Sequence, residues 1–332
     1  MTDALSRFAE KASSRTILVA GDVMLDAYVS GDASRISPEA PVPIVNVSTR
    51  RYVPGGAGNV AANVRSLGAR VILAGVTGID DAAVRLRIEL ERMGVETSPL
   101  AEDAGRPTTV KTRITAAGQQ IVRFDEEDRS PVSEQMAAVL RQSCREVLPS
   151  VDALVISDYA KGVVSEPLCG WLIETAAALG KPIIVDPKSR ELSRYRGATL
   201  ITPNVKEAAL AAAMMIETEN ELVQAARSLL RIIAPSALLI TRGEQGMSLF
   251  EIDGQCCHFP ALVNEVADVT GAGDTVAAAL AIALSAGFSL ADGALVANAA
   301  GAAAVSHPGT WAVRPEELAR MIPGVLNAVP RA

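Results

Sequence analysis

The run Asp268-Val-Thr-Gly-Ala-Gly-Asp274 is followed at once by Thr275 to Ala291, a stretch without a charged residue. Two glycines let a backbone approach a ligand closely, and the start of a helix points free N–H groups and a positive dipole end outward. Gly271, Ala272 and Gly273 therefore read as an anion loop for a phosphoryl group, with the amides of Ala272, Gly273 and Asp274 holding developing charge. Asp274 then stands where it can orient or deprotonate an incoming hydroxyl. Without such a ligand it reads only as an early-turn acid that favours the helix dipole. The uncharged stretch approaches membrane-span length, but its alanines and its Ser285, Gly287 and Ser289 fit a buried helix of a large α/β core. No G-x-x-x-x-G-K-[ST] run occurs, which excludes a P-loop.

Around this run, short β-rich apolar segments alternate with amphipathic helical ones. The strands are expected at Thr16 to Ala20, Val71 to Val76, Ala153 to Ser157, Pro182 to Val185, Thr199 to Thr202 and Ala237 to Thr241. Helices are expected at Val60 to Leu67, Ala82 to Met93, Ser133 to Val147, Glu166 to Leu179 and Glu219 to Ile233. This is the pattern of an α/β, doubly wound, mostly parallel sheet, which binds ligands beyond the carboxyl ends of its strands. Residues 43–48 and 108–124 depart from it, alternating apolar and polar positions with no helix between. They are read as a small β-sheet lid or subunit contact inserted into one domain spanning 1–332, with an antiparallel extension of the main sheet as the alternative.

Other chemistry-bearing residues fall at strand ends and turns. In Pro54-Gly-Gly-Ala-Gly-Asn59 the glycines match a dinucleotide fingerprint loosely, but Pro54 is expected to end a strand rather than feed one. A tight turn at Gly55 and Gly56 opening a helix is preferred, with Asn59 offering a donor and an acceptor to a polyol. Asp22 and Asp26 supply carboxylates suited either to sugar hydroxyls or to capping turns. Asp158, Asp186 with Lys188, and Asn204 with Glu207 converge on the same cleft; the last pair is a seat for hydrated Mg2+ or a simple capping box. Thr241 to Gly246 suits nucleotide contacts or a hairpin turn.

Composition removes several classes of function. In 332 residues there are 49% hydrophobic and 21% charged residues and a net charge of -7, which fits a folded globular protein and is the wrong sign for neutralising a nucleic acid or an anionic membrane. Four cysteines without C-x-x-C spacing and two distant histidines make a zinc site, a disulfide framework or a Ser/His pair improbable; Cys256-Cys257-His258 has no further ligand at suitable spacing. No export signal precedes Thr16, and reduced thiols fit the cytoplasm.

With these residues in place, the chain resembles the ribokinase-like, or PfkB-type, carbohydrate kinases. Gly55, Gly56, Asn59, Gly68 and Gly78 resemble the family's first signature, and Asp268 to Asp274 its second. Within the family, Gly21 to Asp26, Ser34 to Pro43, Ser157 to Gly162, Tyr195 to Asn204 and Thr241 to Ser248 resemble the branch that phosphorylates D-glycero-β-D-manno-heptose 7-phosphate to the 1,7-bisphosphate, on the route to ADP-heptose for lipopolysaccharide.

The resemblance implies Asp274 as base and Gly271 to Gly273 as anion hole. It implies ATP and Mg2+ at Asn204, Glu207, Thr241, Gly243 and Gly246, with Lys188 as a further ATP contact. Asp26, Gly55, Gly56 and Asn59 would lie at the sugar, and Lys111, Arg113, Arg123 and Lys161 are cations for its phosphate. A homodimer joined through the lid strands is also implied. The alternatives are another sugar kinase of this fold and a non-catalytic sugar-phosphate sensor. Bifunctional relatives carry an H-x-G-H adenylyltransferase after the kinase. Here 21 residues follow Trp311 and no such motif occurs, so a separate phosphatase and adenylyltransferase are expected to complete the route.

Overall fold

The apolar runs assemble into a nine-stranded sheet, seen in a computed structural model that describes residues 2–189, 191–234, 237–262 and 266–321. In chain order the strands are β1 (Thr16–Gly21), β2 (Val23–Ile36), β3 (Pro43–Gly56), β4 (Arg70–Thr77), β5 (Leu100–Glu102), β6 (Thr109–Ala116) and β7 (Gln119–Glu126). They continue as β8 (Ala153–Ser157), β9 (Ile183–Asp186), β10 (Leu200–Ile201), β11 (Ala237–Thr241), β12 (Met247–Glu251) and β13 (Cys256–Phe259). The main sheet runs β13-β12-β11-β10-β9-β8-β1-β4-β5, parallel from β11 to β5, with β12 and β13 antiparallel at one edge.

β1 shows why its sequence reads as a continuous apolar run. Ile17 and Val19 enter one hydrophobic cluster, with the helices Ala57–Ser66, Ala272–Ser285 and Leu290–Val305. Leu18 and Ala20 enter the other, with Glu134–Val147, Glu166–Ala178 and Glu219–Ile233. Both faces are covered, so the strand is apolar from Ile17 onward. The helix Ala272–Ser285 is buried along most of its length against two neighbouring helices and the sheet, which leaves no surface for a charge and favours alanine. No helix among the described residues is long and apolar enough to cross a membrane.

The lid is a separate four-stranded sheet, β3-β2-β6-β7, and not an extension of the main one. β6 and β7 form the expected hairpin, turning at Ala117 and Gly118, both at positive φ, as a two-residue turn between right-twisted strands requires. β2 and β3 correct two sequence expectations. β2 leaves the main sheet after a single residue, Asp22, so Asp26 lies in a strand rather than a turn. Pro54 lies inside β3 opposite Leu25, and the strand feeds the helix Ala57–Ser66 directly. Proline is tolerated there because β3 is the edge strand of its sheet, with a ladder on one side only.

The turn Gly56 still opens the helix: its φ of 55 and ψ of -131 are open only to glycine, and a Cβ would lie 2.5 Å from Asp22 O. Thr241 to Gly246 is the β11–β12 hairpin, with Gly246 held against Phe259 O, where a Cβ would approach to 2.0 Å. All four cysteines are free; burial pushes the thiols of Cys144 and Cys169 up to about 12.

Candidate active site

Asp274 occupies the first turn of the helix Ala272–Ser285, whose start has no side-chain cap. Gly271 precedes it at φ 80, and a Cβ there would meet Asn59 Nδ2 at 2.6 Å. Gly273 has room instead, with only the Asp186 carboxylate 3.9 Å from a Cβ position. The leading amides of this helix lack intrahelical acceptors, an arrangement suited to an anion, although the Ala272 N–H donates to Val269 O at 3.3 Å.

The Asp274 carboxylate is clamped from both sides. Asn59 Nδ2 donates to Oδ2 at 2.7 Å and the Tyr159 hydroxyl donates to Oδ1 at 2.8 Å. Burial and the nearby Asp186 push its pKa up to about 7, against the pull of these two hydrogen bonds and of Lys188. A carboxyl titrating there is matched to general-base work near neutrality. Asn59 is fixed in turn by Asn63, whose Nδ2 donates to Asn59 O at 3.0 Å and Oδ1 at 3.3 Å, while Thr275 Oγ1 donates to Asn63 Oδ1 at 3.0 Å. One N–H and the oxygen of the Asn59 amide are thus engaged within the protein, where they position Asp274.

Asp22 is likewise an anchor rather than a sugar ligand. Its carboxylate accepts the backbone N–H of Tyr159, Lys161 and Val163 at 2.7, 3.0 and 3.0 Å, and burial pushes its pKa up to about 6 despite them. Asp158 accepts the Tyr195 hydroxyl and the Ala160 N–H.

Beyond β9 to β11 lie the expected nucleotide-side groups. Asn204 and Glu207 form a capping box at the helix Val205–Ala212, Asn204 Oδ1 accepting from Glu207 N at 2.9 Å and Glu207 Oε2 from Asn204 N at 2.8 Å. Lys188 Nζ lies 2.9 Å from Glu207 Oε1 and 3.9 Å from Asp186 Oδ2. Burial opposes its charge, but these two carboxylates hold the ammonium above the usual lysine range. Thr241 bridges to Asn204, placing the two side by side. Asp186 Oδ2 is buried without a hydrogen-bond partner, an observation that fits a cation or its bound water beside the anion loop. Among the described residues no group of three acidic, His or Cys side chains is set to hold a metal alone.

Across the cleft the lid register puts Asp26 and Tyr28 of β2, Lys111 and Arg113 of β6, Arg123 and Asp125 of β7, and Arg51 of β3 on one face. Arg113 donates to Asp26 Oδ1 at 2.6 Å, and Gly55 makes room for Asp26, whose Oδ2 would lie 2.5 Å from a Cβ. Arg51 and Arg113 flank the Tyr28 ring at 4.9 and 5.2 Å. Arg123 pairs with Asp125 and Lys161 with Glu127. Lys111 differs: its Nζ donates to Met24 Sδ at 2.8 Å, and no carboxylate lies within ion-pair distance among the described residues. Burial and the nearby Lys161 pull its pKa down.

Residues 14–317 match the model of the pfkB family carbohydrate kinases. The chain belongs to the PfkB family. Its enzymatic class is thus that of a sugar kinase. This PfkB kinase is 44% identical over 309 residues to the bifunctional protein HldE of Trichlorobacter lovleyi, covering 93% of this chain and 63% of that protein. It is 46% identical over 320 residues to the bifunctional protein HldE of Caulobacter vibrioides, covering 96% and 65%. The chain thus spans less than two thirds of the length of these relatives.

Among solved structures, a ribokinase of Arabidopsis thaliana complexed with ribose and ATP superposes with TM-score 0.74 at 18% identity, covering 93% of this chain and 98% of that one. Phosphofructokinase-2 of Escherichia coli in complex with substrates and products gives TM-score 0.76 at 22% identity, covering 95% and 99%. Both share the ribokinase-like fold of this PfkB kinase. Sequence reasoning had missed Tyr159 and Arg51. The first lies in a quoted motif whose flanking Asp158 and Lys161 carry the obvious charge, and the second belongs to a strand expected to stop at Ser48.

Proposed function

We propose that the protein transfers the γ-phosphoryl group of ATP to the anomeric hydroxyl of D-glycero-β-D-manno-heptose 7-phosphate, giving the 1,7-bisphosphate and ADP. The reading rests on one arrangement: a clamped carboxylate beside an anion loop at one side of the cleft, and a row of lid cations facing the other, among them Lys111, which has no carboxylate within ion-pair distance among the described residues. A sugar carrying a remote dianion spans the two. The kinship to the bifunctional relatives at 44% and 46% identity supports this sugar.

Asp274 takes the proton of the anomeric hydroxyl on a lone pair left free by Asn59 and Tyr159. The sugar oxygen then bonds to phosphorus as the bond to ADP breaks. Amides at the start of the helix Ala272–Ser285 hold the charge on the transferred group. Lys188 and the Thr241 to Gly246 hairpin face the nucleotide. Asp186, with Glu207 and Asn204 through water, would hold Mg2+, which would supply positive charge to neutralise the nucleotide phosphates.

Lys111→Ala is expected to raise KM for the sugar phosphate about ten- to hundredfold while leaving kcat within about threefold, since a charge-assisted hydrogen bond to phosphate is lost in ground and transition states alike. Steady-state kinetics on heptose and heptose 7-phosphate decide the matter. Equal kcat/KM for the two in the unaltered protein would reject this substrate in favour of another sugar.

The lid also carries a second apolar face. Val29 and Ile114 continue into Val122 and Phe124, which are 46% and 47% exposed. We propose that a second copy covers it, because a small sheet with a bare apolar face is poorly stable by itself. Light scattering at micromolar concentration should give a dimer, and Phe124→Glu a monomer; a monomeric parent would leave these strands as a lid only.

A further inference from the structure

We propose that Tyr159 is the positioning residue of the base, and that the loop after β8 is held out of relaxed geometry to place its hydroxyl on Asp274. The proposal rests on the reading of Asp274 as base.

The loop is unusually determined. Ala160 has φ 55 although it carries a Cβ, and Gly162 has φ 89 at a position where a Cβ would lie 1.9 Å from Ser130 O. Glycine takes its φ freely, but the left-handed conformation of Ala160 persists only when the surroundings over-determine it. Here the surroundings are two buried carboxylates. Asp22 collects the N–H groups of Tyr159, Lys161 and Val163, and Asp158 accepts that of Ala160. Every one of these bonds fixes the backbone on which the Tyr159 side chain stands.

Burial, then Asp274 and Asp186, hold the phenol well above its ordinary pKa, so it stays protonated and donates to the Asp274 carboxylate. Its contribution is orientation. With Tyr159 on Oδ1 and Asn59 on Oδ2, the carboxylate cannot turn about its own axis, and its remaining lone pairs are aimed. The charged groups facing Asp274 are Asp186, from the end of β9, and Lys188 beyond it, whose Nζ also lies 5.5 Å over the Tyr159 ring. Asp186 repels and Lys188 attracts; the two donors act with Lys188.

Tyr159→Phe keeps the ring and the backbone anchors and removes one donor to the charged carboxylate. The acidic limb of the kcat/KM profile should therefore move up by about one pH unit, with about a tenfold loss at pH 6.5 and recovery to within about threefold of the parent at pH 9. Replacing Tyr159 with 3-fluorotyrosine, a stronger donor of the same shape, should move the limb down and covers the case in which the Phe variant folds poorly, as read by Tm. A limb unmoved in both variants, or a loss equal at every pH, overturns the proposal. Asp274→Asn, run alongside, separates the two layers. If it collapses activity while the Tyr159 limbs stay in place, only the positioning role falls; if it retains activity within about threefold, the base and Tyr159 fall together.

Discussion

Asp274→Asn should leave the fold and ATP binding nearly intact while kcat falls by roughly 10²- to 10⁴-fold, the usual worth of a positioned general base. The amide keeps the shape of the carboxylate, so Asn59 and Tyr159 keep a neighbour of the same volume and packing is spared. What disappears is the acceptor for the substrate proton. The parent's activity should rise as pH climbs through about 7, because burial and Asp186 raise the acid form of Asp274 to that value and only the carboxylate works as a base. The Asn variant should lack this limb. Turnover within about threefold of the parent would remove Asp274 from the mechanism.

Gly273→Val carries the second large effect, a loss on the order of 10²-fold or more in kcat from a blocked anion hole. The position makes a clean test. Its backbone is helical rather than left-handed, and a Cβ meets nothing closer than the Asp186 oxygens at 3.9 Å. The protein has room for the side chain; the ligand does not. Tm and turnover measured on one preparation distinguish this from a folding defect, which would lower Tm and leave kcat per folded molecule unchanged. Gly271 would answer nothing so clearly, since any side chain there collides with Asn59 and disturbs Asp274 indirectly.

The main sheet was legible because a strand buried on both faces writes itself as an apolar run, as β1 and β8 do, and because the helices between carry a 3.6-residue period. The anion loop was legible for a different reason: two glycines, an acid and an uncharged helix fall in one short run. β2 was not legible. It begins one residue after β1, without glycine or proline between, and its cleft-facing Asp26 breaks the apolar pattern that would mark a strand. The roles of Asp22, Asn59 and Tyr159 were hidden more deeply. Each is a polar residue whose partner is far away in sequence, Asp22 with Tyr159 and Asn59 with Asp274, so no local spacing could distinguish a ligand contact from an internal clamp.

Asp22 gives the molecule a natural seam. The chain enters the lid through it and returns at Gly56, opposite Val23, so half of the lid is one excursion with adjacent ends. The N–H of Asp22 donates to Ser157 O, its carbonyl accepts from Ala57 N, and its carboxylate holds the Tyr159 loop. All of these partners belong to the body. Residues 23–56 therefore leave the body and rejoin it at a single point, stapled there by one residue whose backbone and side chain are both held by the body.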